Sequence, residues 1–148
     1  MQLDREVILK ASAPEVWAVL WDVPRMVECV PGCVEAREIE PGQSWEALVS
    51  QRAGPIAVSL PLLVRASEAE APRRLALEAR GRDPIVGASV SVRLGIELEP
   101  EDPGTRVRIH ADVQVRGKLG ALGHSAVRRK ADETLDGFIE RLRRAVEG

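Results

Sequence analysis

Tyrosine is missing from the 148 residues; phenylalanine occurs once, histidine twice, cysteine twice and tryptophan three times. The missing tyrosines remove phenolic acid–base chemistry outright. With only His110 and His124 in the chain, a three-histidine metal site cannot form, and the two are too far apart for an HExxH helix motif. Cys29 and Cys33 are separated by Val30, Pro31 and Gly32. That is not the CxxC spacing of redox or zinc sites, and two cysteines do not make a disulfide framework, so the pair reads as small apolar residues in a turn. An excess of positive charge is lacking too. The 21 Lys and Arg against 23 Asp and Glu give a net charge of −2, without the basic footprint that binding a phosphate backbone requires. No nucleic-acid partner is expected. Long apolar runs are also absent: Ile56 to Val64 is about half of the ~20 residues of a spanning helix. Asp4, Arg5 and Glu6 interrupt the N-terminus where a secretory leader would carry its apolar core. From these absences a reducing cytoplasm is the expected compartment, with membrane contact peripheral at most.

What is present describes a soluble globular chain, 45% apolar and 30% charged. Its length fits one domain, residues 1–148, which at this size buries roughly 68–70% of the surface of the unfolded chain and needs no disulfide or metal staple. Strict alternation of apolar and polar residues dominates. Ala88, Val90, Val92, Leu94, Ile96 and Leu98 form one stripe, and Val107, Ile109, Ala111, Val113 and Val115 form the next, with a Pro- and Gly-containing turn between them. Shorter stripes fall at Leu75 to Ala79, at Trp45 to Ala53 and from Ile56 to Ala66, and two more strands are expected around Leu3–Lys10 and Val34–Glu40. Pro61 has no amide proton to give a ladder, so an edge or a bulge is expected there. Ser12 followed three residues later by Glu15 is a capping box that opens a short helix, and Asp22 and Pro24 restart a second one that ends before Pro31 and Gly32. From Val127 onward, Ala131, Leu135, Phe138 and Leu142 recur at helical spacing. Leu119 and Leu122 lie off that stripe, which predicts a bend or a delayed helix start.

Seven antiparallel strands, two short helices after the first strand and one long terminal helix define an α+β fold. In it the long helix lies across the concave face of a curved sheet, a helix grip. The inward positions are mostly Val, Leu, Ala and Ile with few aromatics, so an apolar cavity is expected between helix and sheet. Its candidate lining is Met26, Val27 and Val30 beside the second short helix, Trp45, Val49 and Gln51 on one strand, Val58 and Leu60 on the next, Leu77 and Leu94 in mid-sheet, and Phe138 on the long helix. Gln51 is polar on an inward parity and must find a partner, since a buried unsatisfied amide costs roughly 1–3 kcal/mol. His124 projects onto the Ala131, Leu135 and Phe138 stripe, which makes it a candidate cavity residue and the one there able to titrate near neutral pH. His110 falls on an outward parity. The segment Val23 to Gly32, with a proline near each end, is expected to act as a flap. Arg128, Arg129 and Lys130, together with Arg141, Arg143 and Arg144, are interleaved with carboxylates and read as a solvated, salt-bridged face. No positioned acid or base is evident on the inward parities, so ligand binding is favoured over catalysis, with no metal and no catalytic residue assigned.

The VPGC turn at Val30 to Cys33, the Gly54, Pro55 pair and the GKLGALG lead-in to the last helix at Gly117 to Gly123 occur in an order that resembles the carbon monoxide dehydrogenase G-subunit family. That family is a branch of the START-like, Bet v 1-like helix-grip (SRPBCC) proteins. The resemblance covers nearly the whole chain. It implies a non-catalytic accessory protein of a CO dehydrogenase-type molybdenum hydroxylase, with a quinone or lipid-like molecule in the cavity. The alternatives it leaves open are a polyketide cyclase- or hydrolase-like enzyme and a ligand-free assembly or maturation partner. Members often continue into an apolar or amphipathic tail, whereas this chain ends at Gly148 just after its last helix. That difference again implies peripheral membrane contact at most.

Overall fold

The apolar–polar alternation of the sequence becomes a sheet because every second side chain of a strand points to the same face, and seven stripes in succession share one concave side. A computed structural model describes residues 1–53, 55–85, 87–118 and 120–148, without the side chains of Ala53 and Ile56. The element order is β1 (Gln2–Leu9), α1 (Ala13–Trp21), α2 (Val23–Glu28), β2 (Cys33–Glu40), β3 (Ser44–Ala53), β4 (Ile56–Glu70), β5 (Arg74–Asp83), β6 (Ala88–Glu101), β7 (Gly104–Gly117) and α3 (His124–Glu147). Among the described residues these strands form one seven-stranded sheet in the order β1-β7-β6-β5-β4-β3-β2. Each neighbour is antiparallel, as the short turns predict. The helices α1 and α2 carry the chain from one sheet edge to the other. Ser12 Oγ accepts the Glu15 amide at 3.3 Å and donates to the Glu15 carboxylate at 3.0 Å, so Ser12 caps α1 and Glu15 answers through the serine hydroxyl instead of its backbone amide.

Pro61 lies opposite Leu48 of β3, and the β4–β5 ladder begins only at the next residue, where Leu62 faces Gly81. The proline therefore sits just beyond the end of a ladder, where its missing N–H leaves no hydrogen bond unmade. The strands β4 and β6 run further than the alternation suggests, to Glu70 and Glu101. Their extra residues form polar hairpin ends that carry no apolar stripe. Thr105, with no exposure, donates to the Ala11 carbonyl at 2.7 Å and pins the turn into α1 to β7.

Gly123, at φ 95°, starts α3 at His124, and a separate 3₁₀ turn spans Gly120–Leu122. The delayed start is thus present at Leu122, while Leu119 and Gly54 lie outside the described residues. Leu135, Phe138 and Leu142 are buried against the sheet, α1 and α2. The opposite flank of α3 is tied to β1 by Arg5, whose guanidinium donates to Asp132 and to Asp136 at 2.8 Å each. The Arg5 hydrogen bond holds the Asp132 carboxyl below its ordinary range. A carboxyl whose pKa is depressed on folding stabilises the native state above its unfolded pKa, and loses that contribution as pH falls through its folded one. The variant Arg5→Met is expected to melt about 2–4 °C below the wild type at pH 7. The gap should close as the pH drops below roughly 4, which thermal melts across a pH series would read.

Candidate ligand-binding cavity

The middle of the concave face is built from small side chains. Ala79, Val92 and Val113 lie side by side across β5, β6 and β7, and Leu77, Leu94 and Ala111 form the next row. Above them the first half of α3 presents Ala131 and Thr134. Small residues facing small residues across a helix–sheet gap cannot reach packing density, and a cavity of about 280 Å³ remains between them. The three tryptophans do not plug it. They cluster at the α1 end, where Trp17 stacks on Trp21 at 5.8 Å and Trp45 meets Trp21 edge-on at 6.3 Å. The apolar interior accordingly divides in two: a main core beneath α1, α2 and the second half of α3, and a smaller cluster around Val58, Leu60 and Ala88. The void lies between them.

Ten of the twelve expected lining residues surround this cavity: Met26, Val27 and Val30 at α2, Val49 and Gln51 on β3, Val58 and Leu60 on β4, Leu77 on β5, Leu94 on β6 and Phe138 on α3. Trp45 and His124 do not. Trp45 is inward and 2% exposed, but its end of β3 is covered by α1, so it belongs to the tryptophan cluster of the main core. His124 is the exposed first residue of α3, one turn before the helix reaches the sheet at Val127. The flap expectation is likewise corrected. Val23, Met26 and Val27 are buried, and the turn after α2 is hydrogen-bonded to β3 through Ser50 N and the Gly32 carbonyl at 2.9 Å.

Sequence reasoning passed over Val90, Val92, Val113 and Val115, which the same inward parity could have supplied, and the helix residues Lys130 and Thr134. The four valines remain half exposed, so the cavity opens between β6–β7 and the first half of α3. Gln51 finds the partner its position demands: Nε2 donates to the Pro31 carbonyl at 2.5 Å. Thr134 Oγ1 lies 2.7 Å from the Lys130 carbonyl and 3.5 Å from Gln51 Oε1. A hydroxyl has one proton, and the shorter bond takes it, so Gln51 Oε1 and the Thr134 oxygen keep acceptor capacity on the cavity wall.

The remaining candidates lie elsewhere. Burial pushes the thiols of Cys29 and Cys33 up, which keeps both protonated at neutral pH, and each Sγ rests 3.6 Å from a nearby carbonyl, of Arg25 and Glu35 respectively. His110 is exposed on the outer face, with Nδ1 2.5 Å from Asp4 across the β1–β7 pair. Arg143 and Arg144 pair with Glu147 and Glu140 at 3.0 and 3.5 Å, as a solvated face requires. Among the described residues no group of three or more His, Cys, Asp or Glu side chains stands close enough to hold a metal ion. No helix there is long and apolar enough to cross a membrane.

A long helix held across a seven-stranded antiparallel sheet, with a hollow between them, is the helix-grip architecture of the Bet v 1-like proteins. Within that class the chain belongs to the carbon monoxide dehydrogenase G-subunit (CoxG) family, whose model matches residues 6–147. A conserved protein of Geobacillus kaustophilus is similar with a TM-score of 0.88 at 19% identity, over 99% of this chain and 95% of that one. A Thermus thermophilus protein aligns at 0.74 and 15%, over 99% and 97%. The Bet v 1 homologue Ara h 8.0201 aligns at 0.69 and 12%, again over 99% and 97%. No curated protein matches the chain. Family and fold together suggest a ligand-binding accessory protein.

Proposed function

We propose that this protein is a non-catalytic accessory that holds a hydrophobic small molecule between α3 and the sheet. The observation that carries the reading is the void itself, about 280 Å³ and walled almost wholly by aliphatic side chains. Sites for small molecules usually span about 300–1,000 Å³ and join an apolar wall to a few polar groups. This one lies just below that range, so it suits a ring system or a short chain. Burial of apolar surface at about 25 cal/mol per Å² would supply affinity. Gln51 and Thr134 would orient an oxygen-bearing group. A quinone head fits these terms, and family membership supports a CO dehydrogenase-type molybdenum hydroxylase as the partner. An enzymatic role has less support: among the described residues the lining includes no His, Asp, Glu or Cys to act as a general acid or base. A ligand-free assembly role would call for a filled interior.

The test uses N-phenyl-1-naphthylamine, a neutral dye that brightens in apolar surroundings, followed by displacement with menadione and decylubiquinone. Bright emission that either quinone quenches by competition is expected, along with a rise in melting temperature. Failure of dye and quinones alike to bind would overturn the reading.

A further inference from the structure

We infer that the ligand is an amphiphile with a negatively charged oxygen head, its apolar body in the cavity and its head at the opening beside Lys130. This rests on the reading that the cavity holds a hydrophobic ligand, and puts a charged head in place of the neutral quinone head named there. Two observations support it. First, Lys130 is the only charged residue among the described residues lining the cavity, and no carboxylate of the described residues lies within 4 Å of its ammonium. The polar groups next to it are the Thr134 hydroxyl, one turn along α3, and Gln51 across the gap. A lone cation on an aliphatic wall is a mismatch for a neutral hydrocarbon and a match for a carboxylate, a phenolate or a phosphate.

Second, charge is segregated along the molecule. The β3–β4, β5–β6 and β7–α3 connections meet at the cavity end of the sheet: the Ser59 amide donates to Asp83 at 3.0 Å, and the Lys118 amide to the Gly87 carbonyl at 3.2 Å. Residues 50–59, 82–90 and 114–131 contribute Arg52, Arg82, Arg116, Lys118 and Arg129 besides Lys130. None of these six cations has an ion-pair partner among the described residues, whereas Arg128 pairs with Asp132 at 3.6 Å. The one carboxylate of these segments, Asp83, is buried and accepts from the Ser59 and Ile85 amides. Glu35 of β2 lines the outer-face groove that Arg82 also lines, but cations still outnumber carboxylates here while the chain as a whole has more acidic than basic residues, so this end is positive on a molecule that is negative elsewhere. Arg52, Arg82 and Arg116 alternate with the inward residues and so belong to the outer face of this end, while Lys130 is the cation at the cleft, where low-dielectric walls strengthen its pull on anions. Ile85, 93% exposed in the β5–β6 connection, adds a bare apolar side chain to this end of the sheet, which also suits an amphiphile.

The experiment compares decanoate with decanol, which share a ten-carbon body and differ in the head, as competitors of N-phenyl-1-naphthylamine on the intact protein. Decanoate is expected to compete at least about tenfold better at low ionic strength, with the advantage shrinking as salt is added. Lys130→Met keeps the aliphatic stem and should bring the two competitors within about threefold. Lys130→Gln should do the same, and Arg144→Met, which removes an equal charge at the far end of α3, should leave decanoate ahead. Sedimentation with phosphatidylcholine vesicles, with and without phosphatidylglycerol, separates the sources of the head. Binding only to the anionic vesicles assigns it to a membrane lipid, and binding to neither assigns it to a free acid. Equal competition by acid and alcohol would overturn the inference while leaving the cavity reading intact. A decanoate preference that survives both Lys130 substitutions would overturn the placement of the head. A silent dye would remove the cavity reading itself.

Discussion

Replacing Val92 by Phe should weaken the binding of N-phenyl-1-naphthylamine by at least about tenfold and leave the melting temperature equal to the wild type or above it. Val92 is central in the row formed with Ala79 and Val113, half exposed and on the cavity wall. A larger side chain in a packed core forces strain of about 1–3 kcal/mol. At Val92 the added ring enters a void instead, and each buried methylene equivalent contributes about 0.8 kcal/mol. The internal comparison is Val107→Phe. Val107 is on the same face of the sheet but has no exposure and belongs to the main core. That variant should melt well below the wild type, by roughly 2–4 °C for each kcal/mol of strain. Thermal melts and dye titrations on both variants decide the matter. Equal destabilisation would mean that the interior at Val92 is as solid as at Val107, and the ligand-binding proposal would fall with the void.

The alternation from Ala88 to Leu98 and from Val107 to Val115 made the sheet legible, because a period of two has one structural meaning when it recurs across several turns. The capping box at Ser12 and Glu15 located α1 for an equally local reason. Parity, however, says which face a residue occupies and not where along the strand a helix will cover it. Trp45 and Val49 share a parity on β3, yet Trp45 lies under α1 and Val49 opens on the cavity. His124 fits the angular stripe of α3, but angle carries no information about where the helix meets the sheet. Lys130 and Thr134 are polar residues on the cavity flank of α3, hidden from a reading that follows apolar residues alone. The positive end was illegible for a different reason. Its cations come from β3, β5, β7 and α3, and in sequence Arg128 to Lys130 sit beside acidic neighbours, so only the fold gathers the unpaired charges at one end.

Gly32→Ala should be strongly destabilising, lowering the melting temperature by roughly 10 °C and weakening dye binding. Gly32 has φ 91°, where an L side chain costs about 1–2 kcal/mol. A Cβ there would also overlap the Ser50 carbonyl oxygen and come within 2.8 Å of Gln51 Cγ. That overlap involves strand backbone that cannot turn aside, which adds a strain of about 1–3 kcal/mol. At about 3 kcal/mol in all, and 2–4 °C per kcal/mol, the shift approaches 10 °C. The binding loss follows from what the turn holds. The Gly32 carbonyl accepts from Ser50, the Pro31 carbonyl accepts from Gln51, and Gly137 of α3 approaches Pro31 so closely that a Cβ would sit 2.6 Å from its ring. The Pro31–Gly32 turn is thus clamped between β3 and α3, and displacing it moves the polar side chain that faces the cavity. Gly42→Ala isolates the conformational part. Its φ is also positive, at 68°, but the nearest atom to its Cβ would be Trp21 Cζ2 at 3.9 Å, an ordinary contact. Gly42→Ala should therefore cost only the backbone strain, about a third to two-thirds of the Gly32→Ala effect, with dye affinity retained. Equal losses at both positions would show that the turn between α2 and β2 is not the joint on which the cavity wall depends.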